Sequence, residues 1–174
     1  MEEIFFDIDN NREIFPMLEN IKTFDEFLFE YLDTFQKLAG VLLIVDNKIL
    51  LVKPKKFKGD SEKWSIPKGK VEKMSIINSA LLELKEETGI TLPKEDLKGV
   101  ERTKIFYKKG SKIKELIIFI VRLNKEDLMV NMNNKWEVHK KYFDTNEVYK
   151  VKFFTKEQAM NKLETGQIPI LKFM

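Results

Sequence analysis

Residues 64–90 read WSIPKGKVEKMSIINSALLELKEETGI, and this stretch decides the fold. Its second half predicts a helix between Ser75 and Thr88, because serine is a preferred N-cap residue and Gly89 stands where a left-handed residue commonly ends a helix. Apolar residues between the caps recur at helical spacing and form one face: Ile77, Ala80, Leu81 and Leu84. The stretch therefore predicts a central amphipathic helix that packs on a core.

Three glutamates share another side of this helix. Glu83, Glu86 and Glu87 stand at positions i, i+3 and i+4, so their side chains project together. Like charges at this spacing destabilise a helix by about 0.2–0.5 kcal/mol per pair, and a divalent cation would relieve the repulsion. Magnesium prefers carboxylates and water, and commonly completes its shell with substrate phosphate oxygens. On the residues alone, a solvated helix face is the commoner explanation of such a run, and a magnesium site is the alternative.

Short apolar runs on both sides of the helix predict strands, and hence an α+β fold with a mixed or antiparallel sheet. Two hairpins are expected, one around residues 46–48 and one around residues 109–111. A last helix is expected to begin at Thr155 and to end before Gly166. The predicted strands are Val41–Val45, Ile49–Val52, Val100–Lys108, Lys112–Leu123 and Val148–Phe154.

Residues 1–37 are predicted to form an N-terminal extension to a domain that spans residues 38–174. Thr23 and Glu26 form a capping box, and aromatic residues follow at helical spacing as far as Phe35. The extension is therefore expected to contain an amphipathic helix, whose aromatic face either packs on the core or forms a homodimer contact.

The composition of the 174-residue chain excludes several kinds of site. It has no cysteine and one histidine, so disulfides, thiolate zinc sites and histidine clusters are excluded, and a metal ion must be held by oxygen ligands. Its apolar stretches are too short to span a membrane, and the acidic N-terminus lacks the features of a signal peptide. We therefore expect a cytoplasmic protein that does not associate with membranes.

The segment from Gly69 to Ile90 resembles the Nudix box of the Nudix hydrolases. That box runs glycine, five residues, glutamate, seven residues, Arg-Glu, an apolar residue, any residue, Glu-Glu, any residue, glycine and an apolar residue. The sequence agrees with the second half of the box at every position from Glu83 to Ile90. The resemblance implies a Nudix-like α/β/α sandwich with a mixed sheet, a central Nudix helix and a closing C-terminal helix.

Two departures from the box bear on activity. The segment is one residue short, so Met74 or Ser75 stands where the first glutamate belongs, and Leu82 replaces the arginine. In the family this arginine braces the carboxylates, so its loss is expected to loosen them. Two functions follow: an active but divergent hydrolase, which is favoured, or a catalytically silent Nudix-fold module that binds nucleotide or RNA. A purely structural or interaction protein ranks last.

The resemblance assigns roles to particular residues. Glu83, Glu86 and Glu87 are expected to bind Mg²⁺, with Mn²⁺ as a substitute, together with the main-chain carbonyl of Lys68. The implied reaction is attack by water at a phosphorus of a diphosphate linkage, with Glu86, Glu87 and Glu147 as catalytic residues. Glu147 resembles a glutamate that many family members carry before a late strand, although a surface role explains it equally well.

The sequence also bears on the substrate. Its Trp-x-x-Pro-Lys-Gly-Lys segment, residues 64–70, resembles Nudix enzymes that act on dinucleoside polyphosphates or decap messenger RNA. From Lys53 to Lys73, eight lysines accompany three acidic residues, which either attract phosphate or form a solvated loop. Lys68 and Lys70 are the favoured substrate-binding residues. The predicted function is a magnesium-dependent pyrophosphohydrolase acting on a nucleoside diphosphate derivative, with a dinucleoside polyphosphate or a capped RNA end favoured. Candidates by residue type for stacking on a base are Phe106, Tyr107, Trp136 and Tyr142.

Overall fold

The structure of the chain is a computed structural model that describes residues 3–7, 12–13, 35–55, 63–109 and 112–174. The strands are β1 (Glu3–Asp7), β2 (Arg12–Glu13), β3 (Phe35–Val45), β4 (Lys48–Pro54), β5 (Lys68–Lys70), β6 (Arg102–Lys109), β7 (Lys112–Leu123) and β8 (Val148–Phe154). The α-helices are α1 (Ile76–Thr88) and α2 (Lys156–Met160). Short 3-10 helices span Lys94–Leu97, Lys125–Asp127, Lys140–Tyr142 and Thr165–Phe173.

The strands form one mixed sheet. Their order is β2-β1-β6-β7-β3-β4-β8, and β5 pairs with β3 beside this path. Strand β1 runs parallel to β6 and β3 runs parallel to β7, whereas the other pairs are antiparallel. One edge of β3 is shared by two neighbours, since residues 38–40 pair with β5 and residues 44–45 pair with β4. Strand β3 therefore joins the glycine-containing segment β5 to the rest of the sheet.

The core has one layer on each face of the sheet. Successive side chains of a strand point to opposite faces. Val41 and Leu43 of β3 pack with Leu84 of α1, whereas Leu42 packs on the other face with Leu171 of the C-terminal segment. Helix α1 and the C-terminal segment thus enclose the sheet between them. This arrangement confirms the predicted α+β class and the Nudix-like sandwich.

Both predicted caps of the central helix are confirmed. The side chain of Ser75 accepts a hydrogen bond from the amide of Asn78, and Gly89 adopts a left-handed conformation with φ of 77°. The amide of Gly89 donates to the carbonyl of Lys85 over 2.8 Å. A Cβ on Gly89 would lie 2.2 Å from the carbonyl oxygen of Tyr142. Glycine is therefore required both by the turn and by the loop that passes over it.

The C-terminal helix is shorter than the sequence indicates, because α2 ends at Met160 instead of continuing toward Gly166. Its predicted capping box between Thr155 and Gln158 is present. Beyond Met160, the amide of Trp64 donates to the carbonyl of Lys162, and the carbonyl of Trp64 accepts from the amide of Glu164, each over 2.8 Å. This tertiary pairing draws the chain out of the helix.

The N-terminal part of the chain differs from the prediction at Phe35, which the sequence assigned to a helix and which lies in β3. The remainder of that predicted helix falls outside the described residues. Strands β1 and β2 were not predicted, and β1 pairs with β6 over Glu3–Asp7. Among the described helices, none has the length and apolarity needed to cross a membrane.

Candidate active site

Two glycines allow the segment before α1 to pack closely on its neighbours. Gly40 of β3 lies opposite Lys68 of β5, and a Cβ on Gly40 would lie 2.6 Å from the carbonyl oxygen of Pro67. Gly69 lies beside Glu83 of α1, and a Cβ on Gly69 would lie 1.7 Å from Oε1 of that glutamate. The absence of both side chains therefore seats the backbone of β5 against the carboxylates of α1.

The backbone of Lys68 fixes a second carboxylate. Its amide donates a hydrogen bond to Oε2 of Glu87 over 3.0 Å. The Lys68 ammonium lies 4.0 Å from Oε2 of Glu164, and both of these side chains are largely buried. The main chain of Lys68 thus adjoins the glutamate cluster, whereas metal binding by its carbonyl remains a prediction.

Burial and mutual repulsion perturb two glutamates of α1. Burial raises the pKa of Glu87 to about 7, and the charges of Glu83 and Glu147 add to this effect, although the ammonium and amide of Lys68 oppose it. The pKa of Glu83 is also raised, first by burial and then by the charges of Glu86 and Glu147. Glu147, which is far from the helix in sequence, therefore lies close enough to Glu83 and Glu87 for its charge to raise their pKa values.

Backbone contacts hold the Glu147 segment beside the helix. The amide of Asp144 donates to the carbonyl of Glu86 over 3.1 Å. The amide of Lys55, at the end of β4, donates to the carbonyl of Glu147 over 2.8 Å. The loop before β8 is thus anchored both to α1 and to the sheet, and the Glu147 side chain is exposed at this junction.

The two departures from the box lie on one small cavity next to the glutamates. This cavity, of about 280 Å³, is lined by Met74 and Leu82 together with Glu83 and Lys70. Both apolar side chains are exposed, at 44% for Met74 and 38% for Leu82. Leu82 has no charge that could balance the glutamates. The exposed Lys70 provides a positive charge on the rim of the same cavity.

The glutamates fit a divalent cation by their chemistry. Carboxylate oxygens are the ligands that magnesium and manganese prefer, and the repulsion of Glu83 by Glu86 and by Glu147 is of the kind that a cation relieves. Within the described part of the chain, no three Asp, Glu or His side chains converge on a common point at metal-binding distance. The carboxylate oxygens are thus suitable ligands in type. Binding of a cation requires these side chains to move closer to one another.

One known protein family matches the part of the chain that contains these site residues. The sequence of residues 34–173 matches the NUDIX domain. The chain belongs to the NUDIX family. Family membership confirms the prediction of a Nudix-type hydrolase, a class that acts on phosphoric anhydride bonds. In this NUDIX domain, α1 is the helix of the box and β5 is the strand that contains its glycine.

Solved structures share the fold of this NUDIX domain. An Ap4A hydrolase from C. elegans, solved as a binary complex, is 23% identical with a TM-score of 0.58, over 79% of this chain and 93% of that chain. A MutT NUDIX hydrolase from Burkholderia pseudomallei is 15% identical with a TM-score of 0.58, over 79% and 96% of the respective chains. A bifunctional NMN adenylyltransferase/ADP ribose pyrophosphatase from Francisella tularensis, complexed with AMP and a manganese ion, is 21% identical with a TM-score of 0.57, over 86% and 46%. Among curated protein sequences, none matches the chain.

Of the aromatic residues named from the sequence, Phe106 and Tyr107 offer no free ring face in this domain, whereas Trp136 and Tyr142 are half-buried. Phe106 and Tyr107 are almost fully buried. Trp136 packs edge-on against Phe153 with ring centroids 5.8 Å apart, and the Lys48 ammonium lies 4.3 Å from the Trp136 ring centroid. Tyr142 meets Gly89 through its main chain and Cβ. The sequence reasoning did not single out Tyr149, whose side chain is 48% exposed. The sequence feature that could have identified Tyr149 is its position two residues after Glu147. Two of the lysines considered as phosphate ligands, Lys56 and Lys58, fall outside the described residues.

Proposed function

We propose that this NUDIX domain is a divalent-metal-dependent pyrophosphohydrolase that cleaves a diphosphate linkage in a nucleoside diphosphate derivative. Dinucleoside polyphosphates and capped RNA ends are the favoured substrates. The observation that carries the proposal is that the charge of Glu147 raises the pKa values of both Glu83 and Glu87, so that it lies near two of the three box glutamates. The names of two structural neighbours, an Ap4A hydrolase and an ADP ribose pyrophosphatase, agree with this class of substrate.

In the proposed reaction, the box glutamates hold Mg²⁺ or Mn²⁺, with the carbonyl of Lys68 as a further ligand. When bound, such a cation neutralises charge on the phosphate oxygens and lowers the pKa of water. Glu147 is exposed, and in the proposed reaction its carboxylate accepts a proton from the attacking water. Gly69 keeps the carboxylate of Glu83 against the backbone of β5.

The lysines next to the cluster favour a substrate rich in phosphate. Lys70 is exposed on the rim that it shares with Glu83, so its ammonium is free to approach a phosphate group of the substrate. Lys68 adds positive charge nearby, although its ammonium is also close to Glu164. We propose that both contribute to substrate binding, Lys70 by direct contact and Lys68 by its charge.

Turnover of a substrate panel tests the proposal. The panel contains diadenosine polyphosphates, ADP-ribose, nucleoside triphosphates, deoxynucleoside triphosphates and capped RNA, each with Mg²⁺, Mn²⁺ or chelator. The variants are Glu87→Gln and Glu147→Gln, and the control is Glu126→Gln in an exposed 3-10 helix away from the box. Metal-dependent release that falls by about 100-fold or more in the first two variants alone is expected.

Absence of turnover would support the second candidate function, which Leu82 already favours. If a folded protein releases no product from any substrate but still binds nucleotide or RNA, the domain is a catalytically silent module. The absence of a charged residue at position 82 favours that second function. Homodimer formation and a cytoplasmic location remain predictions from the sequence.

A further inference from the structure

A further cavity, which none of the box glutamates lines, includes Tyr149, two residues along the chain from Glu147. It measures about 410 Å³ and lies between the loop before β8 and β8 itself. Val138, Phe143 and Val151 provide buried apolar walls, and Tyr149 and Lys150 lie on the β8 side. Apolar walls with a few polar groups at the mouth are typical of sites for small organic ligands.

Three lysine ammonium groups surround the exposed ring of Tyr149. Lys140 lies 5.2 Å, Lys53 5.8 Å and Lys150 5.9 Å from the ring centroid. They come from the 3-10 helix Lys140–Tyr142, from β4 and from β8, so three separate segments of the chain contribute lysines near this ring. Lys150 also lies 4.0 Å from Glu137, which lines the same cavity. An aromatic face combined with several cations is suited to a ligand that carries both a flat ring and a phosphate.

An irregularity in the sheet creates this arrangement. Lys53 pairs with Lys150, whereas Pro54 pairs with Val148, so Tyr149 is an extra residue on β8. In a regular strand, neighbouring residues point to opposite faces. The bulge instead lets Tyr149 and Lys150 line the same cavity. Bulges are over-represented at sheet edges, where β8 lies, and next to active sites, where they change the direction of a side chain.

The cavity adjoins the candidate active site. Only Val148 separates Tyr149 from Glu147, so the Cα atoms of Tyr149 and Glu147 are at most about 7 Å apart. The same loop contributes Phe143 to the cavity and, through the next residue, binds the carbonyl of Glu86. A nucleotide in the cavity would therefore place its phosphate end within reach of the glutamates.

We infer that this cavity binds a nucleoside monophosphate moiety of the substrate. The base stacks on Tyr149, and Lys53, Lys140 and Lys150 contact the phosphate. The free protein keeps lysines near the ring, of which Lys140 is exposed and Lys53 and Lys150 are half-buried, and these long, flexible side chains rotate aside when the base enters. The link to catalysis rests on the proposed function, whereas nucleotide binding by the cavity does not.

Binding without turnover tests the inference. Isothermal titration of AMP and of GMP into the full chain, with chelator present, is compared among wild type, Tyr149→Ala, Tyr149→Phe and Lys140→Ala. We expect Tyr149→Ala to weaken binding of at least one nucleotide by about fivefold or more, since the variant removes the aromatic ring on which the base stacks. Tyr149→Phe keeps the ring and should bind nearly as wild type.

Controls separate the roles of the ring and of the charges. Lys140→Ala should weaken both nucleotides and also inorganic phosphate, whereas Lys98→Ala, an exposed lysine elsewhere, should change neither. Circular dichroism shows whether each variant is folded. Equal affinity of wild type and a folded Tyr149→Ala for both nucleotides, or no measurable binding to wild type, would overturn the inference.

The two proposals fail in different ways. If no substrate of the panel is hydrolysed but AMP or GMP binds in a Tyr149-dependent manner, the cavity is a nucleotide site and the hydrolase proposal fails. If a substrate is hydrolysed with the same KM by wild type and by Tyr149→Ala, the hydrolase proposal holds and the cavity does not bind that substrate.

Discussion

The amide of Lys68 donates a hydrogen bond to Oε2 of Glu87 over 3.0 Å, which ties β5 to the glutamate-bearing side of α1. The next residue, Gly69, lies directly under the carboxylate of Glu83. Two of the three helix glutamates are therefore positioned by backbone contacts that do not depend on a side chain at position 82. This explains how the geometry of the box persists although Leu82 replaces its arginine.

The raised pKa of Glu87 predicts how stability changes with pH in the metal-free protein. The folded chain holds this proton up to about pH 7, whereas the unfolded chain releases it near the usual value of 4.5. Unfolding therefore releases a proton between these pH values, and the free energy of unfolding falls as pH rises through this window. Glu87→Gln does not titrate. We expect it to be more stable than wild type at pH 8, by on the order of 2 kcal/mol, and similar at pH 4.

Thermal unfolding with chelator measures this difference, and added Mg²⁺ provides its control. A gain of about 2–4 °C in Tm per kcal/mol is expected for a chain of this size. Mg²⁺ should raise the Tm of wild type at pH 8 more than that of Glu87→Gln. A variant that is less stable than wild type at pH 8 would mean that the ionised carboxylate is well accommodated.

Gly69→Ala should damage the site more than the fold. The added Cβ would lie 1.7 Å from Oε1 of Glu83, and the end of a flexible side chain moves aside at little cost. The displaced carboxylate can no longer meet its neighbours, so we expect kcat to fall by about tenfold or more while Tm changes little. Steady-state kinetics and thermal unfolding on the same samples decide this. Full activity would show that the position of Glu83 is unimportant.

Two glycines with nearly the same backbone angle provide a matched pair for stability. Gly89 and Gly99 have φ values of 77° and 78°, but only Gly89 faces a neighbour, the backbone of Tyr142. Gly99→Ala should cost about 1–2 kcal/mol for the left-handed conformation alone. Gly89→Ala should cost a further 1–3 kcal/mol, on the order typical of overpacking, because a backbone cannot rotate away as a side chain can. Urea unfolding of both variants makes the comparison, and equal losses would contradict the close contact with Tyr142.

Leu82→Arg should change the pH dependence of activity. The pKa of Glu83 is raised by burial and by the charges of its neighbours, and a guanidinium next to it would lower that pKa. Because the proposed reaction needs the ionised carboxylate, the acidic limb of the kcat/KM profile should move to lower pH. Leu82→Met occupies the same place without a charge and should leave the limb unchanged. Identical pH profiles of kcat/KM for Leu82→Arg and Leu82→Met would show that charge at position 82 does not influence the ionisation that limits activity.

Local patterns allowed much of the fold to be predicted. The caps at Ser75 and Gly89 fixed α1, because each depends on residues only a few positions away. The turn at Asp46 and Asn47 likewise fixed the β3–β4 hairpin, and both residues have positive φ. The end of α2 was missed, because hydrogen bonds from Trp64, nearly 100 residues earlier in the chain, decide it.

The sequence by itself determined the box helix, the spacing of its three glutamates and the family, since these follow from residue types at short range. Only the tertiary structure decided that the charge of Glu147 reaches Glu83, that Gly69 lies under Glu83 and that Tyr149 lines a cavity and lies near three lysines. The physical reason is that side-chain direction on β8 depends on its register with β4. A one-residue bulge, formed where β8 pairs with the distant β4, changes the direction of the Tyr149 side chain. Local residue propensities do not predict such a bulge.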